Sequence, residues 1–254
     1  MQGQFFWYDV MTTDTRAAAK FYSAVAGWGI QEGNGGGKEY TLFTLNGQGV
    51  AGLLSIPEDA AKAGVGPAWM GYIDVDDMGT AIAKLKQHGG TVHREPQTVP
   101  DIIEFAVVSD PQGAGFLIAR GLSEQPLPDL PKGTPGTIGW HELYAKDWKS
   151  ALPFYETQFG WTRGDGFDMG PMGTYQLFAT GREPVGGVMT QPANIPHPHW
   201  SYYITVSAID AAVDRVKKAG GTVCMGPHQV PGGEWILMGR DPQGADFALI
   251  AAKR

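Results

Sequence analysis

Residues 7–28 read WYDVMTTDTRAAAKFYSAVAGW, and residues 140–161 read WHELYAKDWKSALPFYETQFGW. Each stretch opens on a tryptophan two residues before an acid, Asp9 or Glu142. Each then reaches an aspartate (Asp14, Asp147), passes a Phe-Tyr pair (Phe21-Tyr22, Phe154-Tyr155) and ends on Gly-Trp (Gly27-Trp28, Gly160-Trp161). The offset is a constant 133 residues. The match continues outward in the same order. Tyr40–Phe43 pairs with Tyr175–Phe178, Trp69–Val75 with Trp200–Val206, Gly89–Val92 with Gly220–Val223, and Asp110–Ala114 with Asp241–Ala245. Shifts confined to loops within so long a series mark a tandem duplication.

Composition narrows the function classes. The chain has 254 residues, 43% of them hydrophobic, which is enough for a packed core. Its net charge of −7 repels phosphate backbones, so nucleic acid is not an expected partner. No apolar run is long enough to span a membrane, and the first residues lack a basic segment followed by an apolar one. The single cysteine, Cys224, forbids an internal disulfide and fits a reducing, cytoplasmic setting. On a strand, that thiol is expected to be buried.

The 37 glycines need an account, and the internal rhythm supplies one. Asp14 is placed to cap a helix whose face carries Ala18, Phe21, Tyr22 and Val25, and Gly27 stops it. Glycine-rich turns such as Gly33–Gly37 and Asn46-Gly47 then separate short strands. The order recurs with a strand over 68–75, a helix bearing Met78, Ala81, Ile82 and Leu85, and strands near 91–96, 103–109 and 115–120. The second copy repeats the pattern, with Ile209, Ala212, Val213 and Val216 as the matching stripe. The fold class expected is α+β, with two domains over 1–121 and 137–254, each βαβββ followed by βαβββ. Between them, residues 122–136 carry four prolines and two glycines and read as a semi-extended linker.

The aromatic strand, helix-starting Asp, Phe-Tyr, Gly-Trp and closing Asp-Pro-Gln-Gly resemble the vicinal oxygen chelate superfamily. This group includes glyoxalases, bleomycin-resistance proteins and extradiol dioxygenases. The resemblance covers both copies and implies that each forms a curved mixed sheet, a cup. It implies further that catalytic members hold a divalent metal at four strand positions. Carried over to this chain, those positions are Trp7, Leu54, Met70 and Leu117 in one copy, and Trp140, Met189, Ser201 and Ala248 in the other. None offers the carboxylate, imidazole or thiolate donor that a divalent ion needs. No metal or other cofactor is therefore expected. A displaced site would have to draw on the six histidines, among which His197 and His199 form one loop pair; strand alternation turns His141 away from Trp140 and Glu142.

What remains in each cup is aromatic and acidic. Alternation puts Trp7, Asp9 and Met11 on one face, and Trp140, Glu142 and Tyr144 on its counterpart. Across from them stand Met70, Tyr72 and Asp74, or Ser201, Tyr203 and Thr205. The expected ligand-binding residues are therefore Trp7, Asp9, Met70, Tyr72, Trp140, Glu142, Ser201 and Tyr203. An acid and a phenol can serve a ligand or simply satisfy each other in a polar core. Three functional readings follow. The first is a small-molecule-binding protein, monomeric or homodimeric, that lacks the family metal ligands. The second is a glyoxalase-type lyase or isomerase acting on a small carbonyl compound, with Asp9 or Glu142 as acid/base. The third is a metal-dependent dioxygenase with displaced ligands. Because the copies differ at Asp9/Glu142, Met70/Ser201 and Asp74/Thr205, their sites should be unequal, the second being more polar.

Overall fold

The computed structural model describes residues 2–33, 40–123 and 130–254. The glycine turn expected over 33–37, apart from Gly33, and part of the expected linker lie outside these residues. The first copy runs β1 (Phe5–Thr12), α1 (Thr15–Ala26), β2 (Gly29–Gly33), β3 (Tyr40–Leu45) and β4 (Gln48–Ser55). It continues through the short α2 (Glu58–Lys62) to β5 (Ala68–Asp74), α3 (Met78–Gln87), β6 (Thr91–Val99), β7 (Ile103–Ser109) and β8 (Gly115–Gly121). The second copy runs β9 (Ile138–Ala145), α4 (Trp148–Phe159), β10 (Thr162–Asp168), β11 (Thr174–Ala179) and β12 (Pro184–Thr190). It closes with β13 (His199–Thr205), α5 (Ile209–Lys218), β14 (Thr222–Gln229), β15 (Trp235–Arg240) and β16 (Asp246–Ala251). This is βαβββ four times over; among the described residues, the short α2 and a 3-10 turn at Gly170–Met172 are additions that the sequence pattern did not anticipate.

Two open, eight-stranded mixed sheets result, ordered β2-β3-β4-β1-β5-β8-β7-β6 and β10-β11-β12-β9-β13-β16-β15-β14. In each quarter the first strand pairs in parallel with the fourth, as β1 with β4 and β9 with β12, while the others pair antiparallel. Parallel neighbours need a crossover, and the helix after the first strand lies on that connection. Asp14 caps α1 by accepting from Ala17 N at 2.9 Å, and Asp147 caps α4 through Lys149 and Ser150. Both helices stop at a glycine in the left-handed region, Gly27 at φ 78° and Gly160 at φ 74°. None of the helices among the described residues is long and apolar enough to cross a membrane.

The chain forms two compact units, and each draws on both copies. One contains Met1–Phe6, Gly71–Pro126 and His141–Ser201. Its helices α3 and α4 meet where Gln158 Nε2 donates to Ala81 O at 2.8 Å. Tyr155, fully buried on α4, donates its hydroxyl to Asp110 Oδ2 at 3.0 Å and accepts from Trp200 Nε1 at 3.1 Å. Trp161 stacks between Tyr155 and Phe178, at 5.0 and 4.5 Å, and its N–H reaches Gly3 O.

The other unit contains Trp7–Met70, Leu127–Trp140 and Tyr202–Arg254 and repeats the same joinery. Tyr22 on α1 donates to Asp241 Oδ2 at 3.1 Å and accepts from Trp69 Nε1 at 2.9 Å. The Trp28 N–H reaches Gly136 O at 2.7 Å. Phe21 packs on Phe247, and Arg215 of α5 donates to Val25 O. The Asp-Pro-Gln-Gly aspartates are turn-formers, since Asp110 and Asp241 each accept from backbone amides of their own turn. Their other carboxylate oxygen secures the tyrosine of the opposite copy.

Candidate functional site

The acids sit where alternation puts them, but the phenol beside Asp9 is one the sequence reading did not select. On β1, Trp7 is half-buried and Asp9 is only 4% exposed. The parallel register of β1 and β4 sets Asp9 opposite Gly52, and Tyr40 opens β3 next door. Trp7 Nε1 donates to Asp9 Oδ1 at 3.0 Å and to the Tyr40 hydroxyl oxygen at 2.8 Å. The Tyr40 O–H donates to the same Asp9 oxygen at 2.7 Å. Three side chains thus close a hydrogen-bonded triangle. Gly52 makes room for it: a Cβ there would stand 1.9 Å from the Tyr40 hydroxyl and 2.1 Å from Asp9 Oδ1. Burial, reinforced by the neighbouring Asp9, holds the Tyr40 phenol well above its usual range, so Tyr40 is a neutral hydroxyl.

The other unit holds the counterpart. Glu142 on β9 is 6% exposed and stands opposite Gly187 of β12. Tyr175 of β11 lies over that glycine, where a Cβ would be 2.2 Å from ring carbon Cε1 and 2.5 Å from the hydroxyl. Acid, tyrosine and glycine therefore recur. A signal for them was present, since Tyr40/Tyr175 open the repeated Tyr-x-Leu-Phe and Gly52/Gly187 share its offset of 135 residues.

The remaining expected residues occupy the expected strands. Met70 and Tyr72 share a face of β5, half-buried and buried, and the Tyr72 ring meets Phe6 and Phe105 edge-on. On β13, Ser201 is half-buried, while Tyr203 forms an apolar cluster with Ala248 and Ile250 against which Trp140, Ile236 and Met238 pack.

The residues present do not fit the superfamily's metal. The resemblance implies a ligand position at Trp7, yet its indole nitrogen is a donor already directed at Asp9 and Tyr40. At two of the other ligand positions, Trp140 and Ala248 are committed to the apolar cluster around Tyr203. Among the described residues no three His, Cys, Asp or Glu side chains are grouped so as to hold a metal ion. The histidines have other roles. His141 faces away from Glu142, stacks on Phe5 at 4.2 Å and bonds Val185 O through Nδ1 at 2.8 Å; burial draws its pKa down to about 4. His199 stacks on Tyr144 at 5.1 Å, with Nδ1 bonded to His197 O. Cys224 corrects an expectation: it is exposed, because it lies on the edge strand β14 at the register shift between Val223 and Met225.

Similarity to known proteins agrees with this architecture. A family model for the Glyoxalase/Bleomycin resistance protein/Dioxygenase superfamily matches residues 4–118 and 137–249, and the chain belongs to that superfamily. It is 32% identical over 251 residues to "Putative glyoxylase CFP32" of Mycobacterium bovis, covering 98% of this chain and 95% of the relative. It is 30% identical over 261 residues to "Anthracycline biosynthesis protein DnrV" of Streptomyces peucetius, covering 96% and 91%. Among solved structures, the Mn(II)-bound glyoxalase from Novosphingobium aromaticivorans matches with a TM-score of 0.67 at 16% identity, covering all of this chain and 83% of that one. The 2,3-dioxygenase LapB from Pseudomonas sp. KL28 matches with a TM-score of 0.66 at 13% identity, covering all of this chain and 94% of that one. At such identities the structural likeness speaks to the fold alone.

Proposed function

We propose that this protein binds a small, flat, partly apolar molecule at its two acid–tyrosine–glycine clusters, without a metal ion. The observation that carries the reading is the Trp7–Asp9–Tyr40 triangle, a buried acid roofed by two half-exposed aromatic groups, standing where the superfamily would place a metal ligand. Aromatic walls with a few converging polar atoms suit such a ligand. The likeness to a protein of anthracycline biosynthesis supports a planar, ring-containing one. The test is a melting-temperature screen of chelator-treated protein against planar aromatic compounds. A ligand should raise the melting temperature of the wild type, and the shift should shrink in Asp9→Ala and Glu142→Ala. Shifts of wild-type size in both variants would remove the clusters from the site.

A second reading has its own support in two buried acids and a relative named a glyoxylase. Here Asp9 or Glu142 takes a proton beside the carbonyl of a small substrate, in a lyase or isomerase reaction. Glu142→Gln should then lose turnover while still binding. Unaltered turnover in both Glu142→Gln and Asp9→Asn rules that reading out.

A further inference from the structure

The hydrogen-bond polarity of the first cluster narrows the ligand class, and this step rests on the binding reading above. The cluster contains two donors, the Trp7 N–H and the Tyr40 O–H, and both are spent inside it. The first is shared between Asp9 Oδ1 and the Tyr40 oxygen, and the second is given to Asp9 Oδ1. What the triangle can still offer is acceptor capacity. A phenolic oxygen that has donated its proton and received one N–H keeps part of its lone-pair density. Of the three residues, Trp7 and Tyr40 are partly exposed, while Asp9 is at 4% exposure.

We infer that Tyr40 is the ligand-contacting polar group of this site and acts as a hydrogen-bond acceptor, so that the site selects planar molecules bearing an O–H or N–H over otherwise identical ones that lack it. Asp9 and Trp7 are then positioning residues. Asp9 fixes the direction of the Tyr40 hydroxyl proton, which turns the oxygen's remaining density outward. Gly52 belongs to the same device, because no residue with a Cβ leaves the Tyr40 hydroxyl its place 1.9 Å from that point. The arrangement disfavours a ligand whose polar atoms are all carbonyl or carboxylate oxygens. Such a ligand would need a donor, and recruiting one would break a bond of the triangle at the cost of an unsatisfied buried acceptor.

The experiment uses the full chain and two probes of the same ring system, 2-naphthol and 2-methoxynaphthalene, with affinities measured by titration calorimetry. The wild type should prefer the naphthol by about tenfold, the value of one neutral hydrogen bond. Tyr40→Phe should bring the two affinities together by weakening the naphthol alone. A second measurement needs no binding-site variant to bind. In an amide and indole proton–nitrogen spectrum, the Trp7 Nε1–H resonance, identified by its loss in Trp7→Phe, should move with naphthol and far less with the methoxy compound. Equal affinities for the wild type, or a preference that survives in a folded Tyr40→Phe protein, overturns the acceptor assignment while leaving the binding reading standing. Absence of binding by either probe, and by the planar panel used for the binding reading, overturns both.

Discussion

Asp9 and Glu142 differ by one methylene, and each faces a glycine over which a tyrosine lies. That geometry sets the cost of adding a single carbon. Gly52→Ala would drive a methyl group into the Tyr40 hydroxyl and Asp9, an overpacking expected to cost about 1–3 kcal/mol, readable in the urea midpoint. The same variant should lose its ligand-induced stabilisation. His141 makes a second residue-scale prediction. It is held neutral to a pKa of about 4, against 6.5 when free, so between those values the unfolded chain binds more protons than the folded one. The stability that follows is present above pH 6.5 and is lost as pH falls toward 4. From pH 7 to pH 5 the loss attributable to this group is about 2 kcal/mol, and His141→Gln should flatten the urea-midpoint profile by that amount. The facing of Trp7, Asp9 and His141 was legible in the sequence because strand alternation is a strictly local rule. Tyr40 was not singled out, since its meeting with Asp9 depends on the register of three strands, which no local period encodes.

At the scale of elements, the helix boundaries of α1 and α4 could be read directly. An aspartate with its side chain on the first-turn amides and a left-handed glycine at the far end are chemical signals on consecutive residues. Helix α5 lacks that signal, starting from Ala208 with no side-chain cap, and only its stripe of Ile209, Ala212 and Val216 announced it. The partners of these helices were hidden. Tyr22, on the helix face it shares with Phe21 and Val25, reaches Asp241 across 219 residues of chain. Burial raises the pKa of Asp110, and the hydroxyl of Tyr155 counters part of that effect. Tyr155→Phe would leave this buried carboxyl short of a donor. The expected loss is about 1–3 kcal/mol, measured by thermal or urea unfolding. Tyr22→Phe, in the matching position, should act in the same direction.

For the whole molecule, the duplication carried nearly all of the legible fold. Two copies of one pattern constrain each other, so that an ambiguous strand in one is settled by its clearer twin. What the repeat could not convey is that each compact unit takes residues from both copies. It follows that fragments 1–121 and 122–254, made separately, should not be stable monomers, because the first lacks Asp241 and Gly136, partners of Tyr22 and Trp28, and the second lacks Asp110 and Gly3, partners of Tyr155 and Trp161. Mixed together they should regain the melting transition of the intact chain, as followed by near-ultraviolet circular dichroism. Cooperative, monomeric unfolding of either fragment at the temperature of the full chain would contradict that picture.

The central claim, a binding site that works without the superfamily's metal, is tested most directly by the melting temperature of chelator-treated protein with a planar aromatic ligand, before and after Zn²⁺, Ni²⁺, Mn²⁺ or Fe²⁺ is restored. A ligand at 100 times its dissociation constant stabilises by about 2.7 kcal/mol, which for a chain of this size is a rise of about 5–10 °C. That rise should appear in full in the metal-free protein, unchanged by any of the four ions. A shift that appears only once a metal is returned would contradict it.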